Sequence, residues 1–369
     1  VGTQLATPDL RGPVEVWCEL FDGSKRTIDI AQFYACGRDG KALDTVIAHL
    51  KSAGERGVKI RFLMESRGVR MSEPATIAQL EAIPNLSFRL IDFSKVGGGI
   101  LHAKYMVVDG ARGYLGSQNF DWRSLEQIHE TGVLIADPVI VHQMQAVFDT
   151  DWAAQQLLEQ GAPVPVLNQG RVPADRSQRL YLVASPNAFN PPGVGDSESE
   201  LTRLLSEAEK EVWIQVMKYA PLSHAGGLRP YYGVIDEALR KAAQRGVKVN
   251  LMVADWNTGE PELSYLKSLE VLPNVSVRIV TIPPSGEGFI PYARVIHTKA
   301  MVIDDRIAWI GTSNWEGGYM DDSRNLELVI QDTGMATRVG DLIRQLWDSP
   351  YAAALDVGRN YPRPHPGNE

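Results

Sequence analysis

Five residue types recur twice at one spacing: His102-x-Lys104-x4-Asp109-x6-Gly116-Ser117-x-Asn119, and His297-x-Lys299-x4-Asp304-x6-Gly311-Thr312-x-Asn314. At roughly one chance in twenty per position, one such match arises by accident in a chain this long with a probability on the order of 10⁻⁴. Two matches leave coincidence negligible. The residue types suit an anion: lysine supplies fixed charge, while a neighbouring imidazole can attack or carry a proton near neutral pH. Gly116 and Gly311 allow close backbone approach, and the hydroxyls and amides of Ser117, Thr312, Asn119 and Asn314 are neutral donors. Two such sets facing each other would place two histidines, two lysines and two asparagines around one tetrahedral phosphate. A zinc site fits poorly, because Lys104 and Lys299 stand where further ligands are needed and repel a cation. No metal and no cofactor is called for.

Extended backbone positions such residues, since side chains alternate along a strand and His102 and Lys104 then share a face, as do His297 and Lys299. Asp109 and Asp304 fall at the strand ends, where a carboxylate serves either the chemistry or a loop amide. Asn119 and Asn314 are open between turn formers and phosphate donors. Isolated histidines are more often packed than catalytic, and His49, His129, His142, His224 and His365 are read as structural.

The duplication extends beyond these blocks. Glu55-Arg56-Gly57-Val58-Lys59-Ile60-Arg61 returns as Gln244-Arg245-Gly246-Val247-Lys248-Val249-Asn250, a shift of 189, and Ile83–Arg89 returns as Leu272–Arg278 at the same shift. The histidine blocks are shifted by 195, so one loop of the second half is six residues longer. Helices are expected over Val14–Lys25, Leu43–Arg56 and Ile235–Arg245. Strands are expected over Thr27–Ala35, Val58–Met64, Leu86–Ile91, Tyr105–Val108 and Gly113–Leu115, echoed by Val247–Val253, Val275–Val280, Ala300–Ile303 and Ile307–Ile310. This alternation implies an α/β protein of two homologous sandwich halves with central mixed β-sheets, related by a pseudo-twofold. The division reads as a first half over 1–160, a Pro-containing connection over 161–178, a second half over 179–355 and a Pro-rich tail over 356–369.

On these residues the chain resembles the phospholipase D superfamily, whose signature is this duplicated motif. The resemblance covers about residues 13 to 355. The flanks Asn119-Phe120-Asp121-Trp122-Arg123-Ser124-Leu125, Ile290-Pro291-Tyr292-Ala293-Arg294-Val295 and Gly311-Thr312-Ser313-Asn314-Trp315 look most like the animal lysosomal phospholipase-D-like 5′-exonucleases and their poxvirus relatives. Thr312 departs from the superfamily's serine but keeps the hydroxyl. The resemblance implies a catalytic set of His102, Lys104, Asp109, His297, Lys299 and Asp304, with Asn119, Asn314, Ser117 and Thr312 on the phosphate. It further implies a phosphohistidine formed on His102, with His297 as general acid, and an acidic residue downstream of each motif that orients a histidine. By position these are Glu130 and Glu327, whose other reading is a solvated carboxylate at a strand edge.

Composition bounds the rest. The 369 residues are 44% hydrophobic and 22% charged, which excludes disordered, collagenous and disulfide-scaffold classes. The net charge of −8 argues against gripping long nucleic acid by charge alone, while leaving room for a local basic site at Lys104 and Lys299. Cys18 lies ~10 Å back along its helix and Cys36 ~30 Å along its strand, so no bridge between them is expected. No apolar run approaches the ~18 residues that span a bilayer. The start at Val1 lacks a signal sequence, which reads as a secreted or periplasmic protein with its signal removed, although a trimmed chain would start the same way.

Two phosphodiester substrates compete. The end of a single-stranded nucleic acid needs aromatic platforms, for which Trp122, Trp256, Phe289, Tyr292 and Trp315 are the pocket candidates, with Phe120 and Tyr319 also near the motifs. A phospholipid head group needs an exposed apolar rim, which the longer loop around Pro283–Pro291 could form. A non-catalytic phosphate-binding scaffold is the third reading, disfavoured because both motifs keep His, Lys and Asp. Two motifs in one chain are expected to complete the site without a second copy.

Overall fold

The computed structural model describes residues 3–223, 228–362 and 364–367; His224 lies outside them. Strand Thr27–Gln32 is buried along nearly its whole length and has Lys59–Glu65 parallel on one side and Tyr105–Val108 antiparallel on the other. A strand covered on both faces requires the continuous apolar run that Ile28, Ile30 and Ala31 supply. Leu86–Ile91 closes one edge, and Arg112–Gly116 and Gly132–Ile135 extend the other, giving a six-stranded mixed sheet.

The second half repeats this order with Val275–Val280, Lys248–Ala254, Glu211–Gln215, Ala300–Ile303, Ile307–Gly311 and Asn325–Ile330. Register repeats too, for Ile28 sits between Ile60 and Val108 as Val212 sits between Val249 and Ile303. The second sheet then grows past its counterpart, with Leu180–Ser185 and Gly195–Asp196 on one edge and Ala352–Ala354 on the other. Central mixed sheets in an α/β frame are as expected.

Helices Ala42–Glu55 and Val234–Gln244 precede the matching strands, and Gly57 and Gly246, at φ of 90° and 93°, turn the chain out of each helix into its strand. Pro138–Glu159 and Thr333–Trp347 follow the last strand of each six-strand set, capped by the carboxylates of Asp137 and Asp332. One apolar core runs through both halves, including Ile28, Val107 and Phe148 with Ala308, Leu328 and Leu346. A second lies within the second half around Leu239, Leu251 and Trp309.

Most strand limits fall within a residue of expectation. The strand expected over Thr27–Ala35 instead breaks after Gln32, and Ala35–Cys36 pairs separately with Phe120–Asp121. This break brings Phe33 against His102 and Tyr34 against Asp121. Cys18 and Cys36 are both free. Among the described residues no helix is long and apolar enough to cross a membrane.

Candidate active site

His102 and Lys104 stand just ahead of strand Tyr105–Val108, not within it as the alternation argument supposes. Their backbone is held by the other half: the amides of His102 and Ala103 donate to the Arg324 carbonyl at 3.0 and 2.8 Å, and Leu101 bridges to Arg324. The mirror image holds the second motif. The amides of His297 and Thr298 donate to the His129 carbonyl at 2.8 and 3.2 Å, and Ile296 bridges to His129. Each histidine is thus delivered by its own chain segment and anchored by the opposite half. His129 is structural, as expected, and burial pushes its imidazole down to about 4.

The two imidazoles differ in their partners. His297 Nδ1 lies 2.9 and 3.1 Å from the two carboxylate oxygens of Glu130, the orienting residue expected for one motif. Burial pushes the Glu130 carboxyl up, but His297, Lys299 and the Ser117 hydroxyl outweigh it and hold the group below its usual range. His102 Nδ1 lies 2.9 Å from Asn325 Oδ1. The Asn325 amide nitrogen donates to the Tyr319 carbonyl at 2.9 Å, so its oxygen faces His102 and accepts from Nδ1–H. That leaves the Nε2 lone pair of His102 free.

Glu327, the orienting acid expected downstream of the second motif, is hydrogen-bonded elsewhere. Its buried carboxylate accepts from the hydroxyls of Ser197 and Ser313, and burial raises it to about 7. Asn325 is the residue that sequence reasoning missed. It stands 28 residues after His297, as Glu130 stands 28 after His102. The internal repeat marks its position, but its amide differs from the carboxylate that the resemblance implies there.

Lys104 and Lys299 are buried, and each Nζ donates to the carbonyl of its own motif histidine, at 2.6 Å for Lys299. Burial and the charge of Lys299 push Lys104 well down, while burial brings Lys299 to about 7 despite Glu130. Burial, then Lys104 and Lys299, also push His102 well below its ordinary value, with His297 adding to the effect. His297 is lowered by burial, opposed by Glu130. The four groups therefore share one electrostatic environment drawn from both motifs, and an anion entering it would restore the charge that burial suppresses.

Asn119 and Asn314 are buried, and their Oδ1 atoms have no partner among the described residues. Ser117 and Thr312 are otherwise committed: Ser117 exchanges hydrogen bonds with the Thr131 backbone, and the Thr312 hydroxyl donates to Asn325 Oδ1 at 2.9 Å. They support the segments carrying Glu130 and Asn325 instead of waiting for phosphate.

Asp109 and Asp304 are not brought to this site. Each lies five positions past its lysine, about 17 Å along a strand. There Asp109 accepts from the amides of Lys25, Arg26 and Thr27 at 2.7–2.9 Å, and Asp304 from those of Glu209, Lys210 and Glu211 at 2.8–3.0 Å.

The aromatic candidates also divide. Trp315 is wholly buried against Trp309, and Phe120 is stacked on Trp17, so both are core. Trp122 is buried beneath Arg38 and Lys41, whose cationic groups lie 5.1 and 5.3 Å from its ring centroid. Tyr292 is exposed and its amide donates to the Pro366 carbonyl at 2.7 Å. Trp256 and Phe289 line a cavity. The rings that flank a motif histidine are Phe33 and Tyr319, 5.6 and 4.8 Å from His102. Among the described residues no group of three or more His, Cys, Asp or Glu is arranged to hold a metal ion.

Comparison with known proteins shows the family. The family model of the cardiolipin synthase PLD-like domain matches residues 17–152 and 201–347. The 5'-3' exonuclease PLD3 of Bos taurus is 30% identical over 93% of this chain and 76% of its own length. Phospholipase D Z of Dictyostelium discoideum is 32% identical over 92% of this chain and 85% of its own. The fold is like that of phosphatidylserine synthase from Haemophilus influenzae Rd KW20, with a TM-score of 0.64 at 16% identity over 93% of this chain and 85% of that one. With two His-x-Lys pairs anchored across the halves and this family match over most of its length, the chain belongs to the phospholipase D superfamily of phosphodiesterases.

Proposed function

We propose that the protein hydrolyses single-stranded nucleic acid from a 5′ end, without a metal, through a phosphohistidine on His102. The observation that carries the reaction is the unequal pairing of the two histidines. Asn325 gives His102 a neutral partner and a free Nε2 lone pair, whereas Glu130 gives His297 a carboxylate that favours its protonated form. A nucleophile must be neutral and a general acid protonated, so the two environments suit opposite roles.

In the first step the Nε2 lone pair of His102 attacks phosphorus, the bond to the leaving oxygen breaks with its electron pair, and that oxygen takes the proton of His297 Nε2. In the second, His297 takes a proton from water, the hydroxide attacks phosphorus, and the P–N bond returns its electrons to His102. Lys104, Lys299, Asn119 and Asn314 balance the charge that builds on the non-bridging oxygens. One chain supplies both motifs. The nucleic-acid substrate is supported by the motif flanks and by the exonuclease name of the cattle relative.

The test is to incubate the protein with 5′-hydroxyl single-stranded DNA and, separately, with phosphatidylcholine vesicles plus ethanol, each with and without EDTA. Nucleotide release that EDTA leaves intact, with no phosphatidylethanol, is the expected result. His102→Ala should abolish turnover and the acid-labile phosphoenzyme, and His297→Ala should let that species accumulate from a substrate with a good leaving group. Strict metal dependence or phosphatidylethanol formation alone would overturn the proposal.

A further inference from the structure

A cavity of about 720 Å³ opens where strands Lys248–Ala254 and Val275–Val280 finish. Asp255 and Trp256 follow the first of these strands, and Thr281 and Pro283 follow the second. Phe289 comes from the longer loop, and Tyr361 comes from the tail. The tail is tied down around it: the Arg359 carbonyl accepts from Lys267 Nζ at 2.7 Å, and the Pro366 carbonyl from the Tyr292 amide at 2.7 Å.

The cavity lies at the catalytic end of the sheet. Gln215, at the end of its strand, pairs with Ala300, the residue after Lys299, and the next strand over is Lys248–Ala254. Two strand spacings, about 10 Å, therefore separate Ala300 from Met252, and Asp255 follows three residues, about 10 Å, further along that strand. Ala293 lines the cavity four residues before His297, which places wall and histidine within about 14 Å even along fully extended chain.

The lining is mixed in a particular way. Trp256, Phe289 and Tyr361 offer aromatic surface. Asp255 stands among them with Oδ1 unpartnered among the described residues, and burial raises its carboxyl to about 6 in spite of the Thr281 hydroxyl. An acyl chain would cover the unpartnered Asp255 carboxyl with nothing to replace water. A flat ring with N–H donors on its edge would stack on the aromatic faces and satisfy the carboxyl.

We propose that this cavity is a nucleobase pocket, with Trp256 as stacking platform and Asp255 as hydrogen-bond partner, that takes a base flanking the cleaved phosphate. This rests on the nucleic-acid reading above.

The test crosses one protein change with one substrate change. A 5′-hydroxyl single-stranded oligonucleotide is compared with the same strand carrying an abasic residue at its first or second position, using the wild-type protein and Trp256→Ala. Loss of the base should lower wild-type kcat/KM about tenfold at one of these positions, mainly through KM. Trp256→Ala should lose about tenfold on the intact strand and no more on the abasic one, while Trp256→Phe keeps most of the activity. Equal losses from Trp256→Ala on both strands would make the tryptophan merely structural and overturn the pocket. So would a wild-type protein indifferent to the missing base, in which case the nuclease reading stands. If the protein cleaves bis(4-nitrophenyl) phosphate but no oligonucleotide, the substrate reading itself falls and the pocket with it.

Discussion

At the scale of single residues, the two motif imidazoles differ in partner by one amide and one carboxylate. Asn325 and Glu130 occupy equivalent places in the repeat, yet only Glu130 carries charge. Asn325→Asp should therefore place an anion against His102 and raise its proton affinity. A protonated His102 has no lone pair, so the acid limb of the kcat/KM profile should move to higher pH. Activity at the acid end should fall about tenfold for each unit of that movement, while the plateau changes little. Glu130→Gln should act in the opposite direction on the other limb, because His297 then gives up its proton at lower pH. A pH–rate profile of each variant checks both signs, and an Asn325→Asp profile superimposable on wild type would remove Asn325 from this role. The motif spacing made the histidines and lysines legible in the sequence. The partner of His102 was not, because its chemistry differs from that of its repeat even though its position does not.

Secondary-structure elements carry the second tier of the site, and here the motif aspartates belong. Asp109 and Asp304 have φ of 55° and 53°, and each folds three backbone amides around one carboxylate just before the strand that pairs with its own motif strand. Burial would raise these carboxyls, but the amides dominate and hold both below their usual range. A carboxyl lowered on folding contributes stability that is present above its unfolded value of about 3.9 and is lost as pH falls through the folded value. Asp109→Ala should cost about 2–3 kcal/mol, since it strips a charged acceptor from several amides at once. Chemical denaturation should show this loss at pH 7 and much less of it near pH 3. Any change in kcat should track the folded fraction, and a fully folded variant with abolished turnover would return Asp109 to the chemistry. Strands such as Leu86–Ile91 and Tyr105–Val108 were readable to the residue from their apolar runs. The break after Gln32 was not, because it depends on Ala35–Cys36 finding Phe120–Asp121 far away in the chain.

At the scale of the whole molecule, the two motifs meet because the halves are stitched through a buried ion pair that sequence periodicity cannot announce. The Arg324 guanidinium is wholly buried and makes a two-nitrogen contact with Asp151 of the first half at 2.9–3.1 Å. It also donates to Ser185 O, Asn190 Oδ1 and Phe189 O at 2.9–3.0 Å, so each of its polar edges is occupied. Its own carbonyl is the acceptor that holds the His102 and Ala103 amides. One residue thus joins the ion pair between the halves to the segment that carries His102. Asp151→Ala would leave a buried guanidinium without its counter-charge, a change that costs about 3–5 kcal/mol. Because one apolar core runs through both halves, that cost should appear as a lower midpoint of a single transition, with tryptophan fluorescence and far-ultraviolet circular dichroism coincident. The same variant should lose kcat/KM even where it is fully folded, since the segment bearing His102 would no longer be held at its hydrogen-bonded distance from Arg324. Two separated transitions, or a folded variant with wild-type turnover, would show that the halves are held together elsewhere and that Arg324 positions nothing.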